Sequence, residues 1–170
     1  MKASIDVCYA IASTPVDDSY IKRNSASLPS VKEFELWANS ALQSPSIKPL
    51  PEDPEVSIRI IGAKESQTLN RDYRGKDKPT NVLSFPAEFP EGVDIPLLGD
   101  LAICAPIVVQ EALEQNKELK AHWAHITIHG TLHLMGYDHI NDNEANIMEA
   151  IEIRLLQSLS YPNPYLTDIK

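Results

Sequence analysis

The sequence predicts a single α/β domain, spanning residues 1–170, with a small mixed β-sheet. A length of 170 residues with 43% apolar residues fits one domain with a substantial hydrophobic core. Short apolar or alternating runs, typical of strands, lie between turns in the first two thirds of the chain. No proline occurs between Pro106 and Pro162, so the last third can form long helices. Strands and helices therefore intermix along the chain, which favours helices packed around a sheet.

The first half of the chain alternates between strand and helix patterns. Ile5, Val7 and Tyr9 alternate with smaller or polar residues, which predicts an opening strand. Ser30 and Glu33 form the pattern of a capping box, which predicts a helix starting at residue 31. Further along, the sequence predicts a proline-rich loop over 44–55, a strand over 56–61 and a helix over 64–73.

The second half begins with two strands and continues with helices. The strands are predicted over 81–85 and 98–104, with a loop containing prolines and acidic residues between them. The helices are predicted over 107–116, 120–134 and 142–158. The last helix has an apolar stripe that should face the core, formed by Met148, Ile151, Leu155 and Leu159.

The charge balance limits the classes of partner. Acidic residues outnumber basic ones by 24 to 15, and the net charge of −9 disfavours indiscriminate binding to nucleic acids or membrane surfaces. A local basic patch could still bind RNA. No apolar run approaches the ~18 residues of a membrane span, and the N-terminal residues lack a signal-peptide pattern. The two cysteines, Cys8 and Cys104, are expected to be buried thiols in a reducing compartment, which predicts a cytoplasmic protein.

The segment HGTLHLMGYDH, residues 129–139, carries the pattern of a metal site. His129 and His133 are four residues apart, so on a helix they lie on one face. Gly136 can adopt the left-handed conformation that ends a helix, and the chain can then return with His139. Imidazole nitrogens are common zinc ligands, and three protein ligands leave a coordination position open for catalysis. The spacing therefore predicts a catalytic metal site, most simply for zinc.

The motif also differs from known zinc proteases at one position. An isolated pair of histidines at this spacing is usually an ordinary feature of an amphipathic helix, but zincins share the longer pattern HExxHxxGxxH. Here Gly130 replaces the glutamate that acts as general base in those proteases. A glycine within a helix costs ~1 kcal/mol relative to alanine, so we expect another element or the substrate to approach closely at this position. The missing glutamate disfavours peptidase chemistry.

Three further residues near the motif are candidates for supporting roles. His122 and His125 fall on the same predicted helix, near the face of His129, and either could contact the ligands or the substrate. Ordinary hydrogen-bonded histidines are an equally good interpretation. Asp138 could orient a ligand or cap the turn before His139.

A basic segment over residues 64–80 contrasts with the acidic chain. It contains five of the fifteen basic residues and has a net charge of +2. Arg74 could bind a phosphate in bidentate fashion and stabilise charge at phosphorus. Lys76 and Lys78 could extend the positive surface along RNA. The alternative is a solvated helix end followed by a turn, since the residues after Arg74 have turn chemistry.

Four motifs together resemble the YbeY family of bacterial endoribonucleases. They are YRGKDKPTNVLSF at 73–85, LGD at 98–100, HWAH at 122–125 and the histidine motif. The resemblance extends from residue 56 to 165. It implies a zincin-like α/β fold with a four-stranded sheet, zinc held by His129, His133 and His139, and Arg74 as the functional arginine. It also implies maturation of the small-subunit ribosomal RNA 3′ end, ribosome quality control, and contact with the small ribosomal subunit and its assembly factors. The expected substrate is single-stranded RNA, and neither DNA nor a membrane is an expected partner.

Several points stay open at this stage. The general base could be Asp100, Asp138 or a histidine, and the metal could be another divalent transition ion. A zincin-like peptidase or amidase is one alternative function. A ribosome-assembly factor that uses zinc only as a structural staple is another.

Overall fold

The computed structural model describes residues 3–13 and 28–166. These residues form one α/β domain with a four-stranded mixed sheet, which confirms the predicted class and strand number. The strands are β1 (Ser4–Tyr9), β2 (Glu55–Ile61), β3 (Val82–Pro86) and β4 (Leu97–Cys104). The described helices are α1 (Val31–Leu42), α2 (Ala63–Arg74), α3 (Ala105–Glu114), α4 (Leu119–Leu134), α5 (Asp142–Ser158) and a short 3₁₀ helix, Ala10–Ser13.

The strands follow the order β1-β2-β4-β3 across the sheet. β1, β2 and β4 are parallel, and β3 pairs antiparallel with β4 at one edge. Ile58 of β2 lies opposite Val7 of β1 and Leu101 of β4, and Leu101 lies opposite Ser84 of β3. The central strands are apolar because both faces of the sheet are covered.

Successive residues of β4 point to opposite faces of the sheet and divide the core into two parts. Leu101 and Ile103 belong to the main core, which also contains aromatic side chains of α1 and α4. Ala102 and Cys104 face a smaller cluster that includes Leu69 of α2. The sheet therefore lies between the α1–α4 layer and α2.

Helix α4 lies at the centre of the molecule. It contacts α1, α3, α5, β3 and β4, and most of its side chains are buried. Its sequence is apolar on nearly every side, which is typical of a helix enclosed by other elements. Such a helix is rigidly held, so side chains at its exposed end have fixed positions.

The predicted boundaries agree with the structure to within two residues, and the largest shifts are in α3, which ends at Glu114 rather than 116. Helix α3 begins at Ala105 rather than 107, because Pro106 lies in the first helical turn, where no amide hydrogen is needed. The prediction that both cysteines are buried was wrong for Cys8. Its side chain is exposed because it points to the same face of β1 as Ser4 and Asp6, opposite Ile5 and Val7. The capping box at Ser30 is confirmed by both of its hydrogen bonds with Glu33. No helix within the described ranges has the length and apolarity that a membrane crossing needs.

Candidate functional site

The end of α4 and the following turn bring three histidines together. His129 and His133 lie one turn apart on α4, and Gly136 ends the helix with a φ of 99°. The Tyr137 amide then donates to the carbonyl of Leu132, and the chain turns back. One ring nitrogen from each of His129, His133 and His139 lies within 4.8 Å of the other two. We call this group the histidine triad.

The orientation of His129 is set by Glu152, a fully buried carboxylate on α5. The Oε2 atom of Glu152 lies 2.8 Å from Nδ1 of His129, and Oε1 lies 2.7 Å from Nε2 of His125. The hydroxyl of Tyr165 also donates to Oε1. An ionised carboxylate can only accept hydrogen bonds, so His129 carries its proton on Nδ1. The lone pair of His129 is therefore on Nε2, which faces the triad.

His133 has the same tautomer for a different reason. Its Nδ1 lies 3.0 Å from the carbonyl oxygen of Tyr137, which can only accept, so Nδ1 is the donor. The two Nε2 atoms of His129 and His133 are 3.1 Å apart. With both protons on Nδ1, two lone pairs face each other across this gap. A tetrahedral zinc site with nitrogen ligands at ~2.0–2.1 Å places those nitrogens ~3.3–3.4 Å apart. The donor set therefore fits one metal ion.

The electrostatics of the site favour the ligand forms. Burial and the neighbouring imidazoles of His129 and His139 lower the pKa of His133 to about 4, so its ring is neutral at physiological pH. Burial alone would raise the pKa of Glu152, but hydrogen bonds from His125 and His129 lower it to about 2. Burial also lowers the pKa of His125. A neutral imidazole beside an ionised carboxylate is the arrangement that supports metal-binding histidines.

Glu152 was missed in the sequence because it is distant from the histidine motif. It is 23 residues from His129 along the chain and lies on another helix. A signal was present, since Glu152 is four residues after Met148 and three before Leu155, within the apolar stripe of α5. A carboxylate in such a stripe needs a buried partner.

The turn between His133 and His139 is held by the loop that precedes β2. The carbonyl of Met135 accepts hydrogen bonds from the amides of Ile47 and Lys48 and from the hydroxyl of Ser46. The Tyr137 hydroxyl donates to the carbonyl of Pro45. The residues that deliver the third histidine are therefore fixed by a distant part of the chain.

The triad opens into a cleft of about 1020 Å³ between α2, β3 and the α4 turn. Arg74, at the end of α2, lines this cleft, and its guanidinium makes no hydrogen bond or ion pair with another described residue. Asp100 and Asp138, both exposed, line it as well. Asp138 also accepts a hydrogen bond from the His139 amide at 2.8 Å, so it caps this turn. The cleft thus combines the triad, the positively charged side chain of Arg74 and the carboxylates of Asp100 and Asp138.

Other candidates from the sequence lie outside the cleft lining. Lys76 and Lys78 are exposed in the turn after α2 and do not line the cleft. His122 is buried, and its Nε2 lies 3.0 Å from Oε1 of Glu111. His125 lies outside the triad. It shares Glu152 with His129, and the centroids of the two imidazole rings are 6.3 Å apart.

Gly130 faces the sheet and not the cleft. A Cβ atom at this position would lie 3.0 Å from a methyl group of Leu101 and 3.1 Å from one of Val82. The hydroxyl of Ser84 donates to the Gly130 carbonyl at 3.0 Å. The close approach expected at Gly130 is present, and it comes from side chains of β3 and β4. A glutamate here would enter the sheet interface.

Comparison with known proteins places the chain in a family. The family model described as Endoribonuclease YbeY matches residues 20–160, so the match starts well before residue 56, where the motif resemblance begins. The solution structure of a Thermotoga maritima protein is similar to this chain, with 24% identity over 98% of this chain and 99% of that chain. The TM-score is 0.50, and this likeness shows the fold. Because the family match covers most of its length, the chain belongs to the endoribonuclease YbeY family.

Proposed function

We propose that the protein is a zinc-dependent endoribonuclease that cleaves single-stranded RNA. Family membership supports a metal-dependent endoribonuclease in ribosomal RNA processing. We extend this to the 3′ end of the small-subunit RNA and to ribosome quality control in the cytoplasm. The expected partners are the small ribosomal subunit and its assembly factors.

The observation that carries the proposal is the pair of facing nitrogens in the triad. The Nε2 atoms of His129 and His133 are 3.1 Å apart, and Glu152 and the Tyr137 carbonyl hold both protons on the opposite side of the rings. Two lone pairs at this distance repel unless a cation lies between them. His139 completes a set of three ligands. Three protein ligands would leave one coordination position of a bound zinc open, as in catalytic zinc sites.

The residues around the triad have complementary tasks in phosphodiester hydrolysis. A bound zinc supplies Lewis-acid chemistry, polarising the phosphodiester and acidifying water. Arg74 holds the phosphate through its guanidinium and offsets negative charge at phosphorus. Asp100 or Asp138 accepts the proton of the attacking water, since both carboxylates line the cleft. Lys76 and Lys78 attract RNA from outside the cleft.

The two alternative functions have less support. A zincin-like peptidase needs a general base after the first histidine, and position 130 faces Leu101 and Val82 instead of the cleft. A structural zinc staple usually has four protein ligands. Within the described ranges, the cluster around His139 contains three. The cleft beside it also provides room for a substrate.

Metal analysis combined with RNA cleavage tests the proposal. Freshly purified protein should contain about one zinc per chain and cleave single-stranded RNA, and chelation should abolish cleavage until zinc is restored. His133→Ala should lose both metal and cleavage, because one of only three ligands is removed. Arg71→Ala is the matched surface control, since Arg71 pairs with Asp72 outside the cleft. Equal cleavage by wild type and His133→Ala would reject a metal-dependent nuclease.

A further inference from the structure

One aromatic ring in the cleft has no role in the chemistry described so far. Tyr73, in the last turn of α2, is 69% exposed, more than any other aromatic residue in the described ranges. Exposure alone is ordinary for a surface residue. Tyr73 differs because it lines the same cleft as the triad and immediately precedes Arg74.

The ring of Tyr73 is supported from one side by Phe85 of β3. The ring centroids are 4.9 Å apart and the planes meet at 68°, an edge-to-face contact. In such a contact, Phe85 covers at most one face of the tyrosine ring. At least one ring face is therefore not covered by Phe85, and 69% of the residue is accessible to solvent. Tyr73 is therefore a flat apolar surface in a defined orientation.

The surroundings of this ring suit an unpaired nucleobase. Bases of single-stranded RNA stack on aromatic side chains, and this contact tolerates any base because each has a π-face. Arg74 is adjacent and can hold the phosphate that joins that base to the next nucleotide. The cleft volume of about 1020 Å³ is at the upper end of the roughly 300–1,000 Å³ of small-ligand sites. It has room for more than one nucleotide.

We propose that Tyr73, backed by Phe85, is a stacking platform that holds one nucleobase next to the phosphate bound by Arg74. This inference rests on the proposed function and specifies how the substrate is bound. Stacking requires a base that is not paired, so the platform selects single-stranded RNA. Arg74 binds the backbone and carries no base preference.

The test combines substitutions of Tyr73 with removal of single bases from the RNA. Tyr73→Leu keeps apolar bulk but removes the flat ring, whereas Tyr73→Phe and Tyr73→Trp keep it. Binding of a labelled single-stranded RNA to the full-length, metal-loaded protein is measured by fluorescence anisotropy, with phosphorothioate linkages in the RNA to prevent cleavage. We expect Tyr73→Leu to bind about tenfold more weakly and both aromatic variants to bind like the wild type. The fluorescence of Tyr73→Trp should be quenched by RNA.

Abasic substitutions in the RNA identify the base that stacks. At one position, an abasic site should weaken binding to the wild type about tenfold. It should not weaken binding to Tyr73→Leu further, because the same contact is already lost. Two outcomes would overturn the platform. The losses of binding free energy from the abasic site and from Tyr73→Leu could simply add, or Tyr73→Leu could bind RNA as tightly as the wild type.

The two proposals can fail separately. If Arg74→Ala weakens RNA binding and Tyr73→Leu does not, the platform is wrong and the nuclease proposal stands. If the wild type neither binds nor cleaves RNA, both proposals are wrong. Loss of peptide binding in Tyr73→Leu, with RNA binding unchanged, would assign the ring to a peptide and reject the platform.

Discussion

Oε2 of Glu152 lies 2.8 Å from Nδ1 of His129, and this contact determines which nitrogen of His129 faces the triad. The carboxylate accepts hydrogen bonds from His125 and Tyr165 as well. All three partners are donors, so the site requires a group that only accepts. A carboxylate meets this requirement, and an amide does not.

Glu152→Gln should weaken metal binding while leaving all three ligands in place. The NH₂ group of the glutamine would face at least one N–H or O–H donor. His129 can relieve this donor–donor clash by moving its proton from Nδ1 to Nε2, but a proton on Nε2 prevents that nitrogen from binding the metal. We expect zinc affinity to fall about 10–100-fold, as for other residues that support metal ligands. Competition with a chromophoric chelator measures the affinity, and ¹⁵N NMR reports the tautomer of His129. Glu149→Gln is the matched control on the same helix, and equal losses in both variants would argue against a specific contact.

Arg74→Ala should reduce RNA cleavage without changing zinc affinity or stability. Arg74 is exposed and has no partner among the described residues, so its removal leaves no buried group unpaired. Removal of one donor to a developing negative charge costs about 10²–10³-fold in kcat. Arg74→Lys should recover only part of this loss, because a point charge does not reproduce the bidentate geometry. Full activity of Arg74→Ala would remove the arginine from the mechanism.

Gly130→Ala should destabilise the protein, although alanine is the better helix former. The gain of ~1 kcal/mol in helix propensity is opposed by crowding against Leu101 and Val82, and overpacking a core costs ~1–3 kcal/mol. We expect a net loss of about 1 kcal/mol in the free energy of unfolding, measured with urea. Leu101→Val creates space, so Gly130→Ala should be less harmful in that background. An increase in the stability of Gly130→Ala would show that the interface between α4 and the sheet has room for a methyl group at position 130.

Glu111 predicts a pH dependence of stability. Burial raises its pKa, but hydrogen bonds from His122 and Asn81 outweigh this and keep the pKa below its ordinary value of 4.5. A carboxylate with a lowered pKa stabilises the folded state above its ordinary pKa, and this contribution is lost as the pH falls through the folded value. Glu111→Gln should therefore be less stable than the wild type by ~1 kcal/mol at pH 7, and the difference should shrink below about pH 4.5.

Urea unfolding from pH 3 to pH 7 measures this difference. Glu114→Gln is the control, because Glu114 is an exposed acid on the same helix. Within the described part of the chain, its carboxylate bonds only with the Gln110 side chain. A difference between Glu111→Gln and the wild type that grows toward low pH would contradict the prediction.

Much of the fold follows from local patterns in the sequence. Helix α5 begins and ends where the sequence predicts, because Asn141 caps it and its apolar stripe is regular. The motif spacing likewise brings His129, His133 and His139 together, since helix geometry and the glycine turn are local.

Contacts between distant segments could not be predicted in this way. The strand order depends on how β3 and β4 pair, which no local pattern specifies. The partnership of Glu152 with His129 depends on the packing of α5 against α4. Lys76 and Lys78 share a basic segment with Arg74, but the left-handed Gly75 redirects the chain and leaves them outside the cleft lining.

The hydrogen bonds that Met135 accepts from the 46–48 segment have a consequence for how the protein is made. Ser46 and Met135 are 89 residues apart, so Ser46 is synthesised well before its hydrogen-bond partner Met135. Tyr165, which supports Glu152, is synthesised later still. The full set of contacts behind the triad, including the one from Tyr165 to Glu152, can form only after residue 165 has been made. Metal capture should therefore come late in biosynthesis, and an unfinished chain should lack a competent centre.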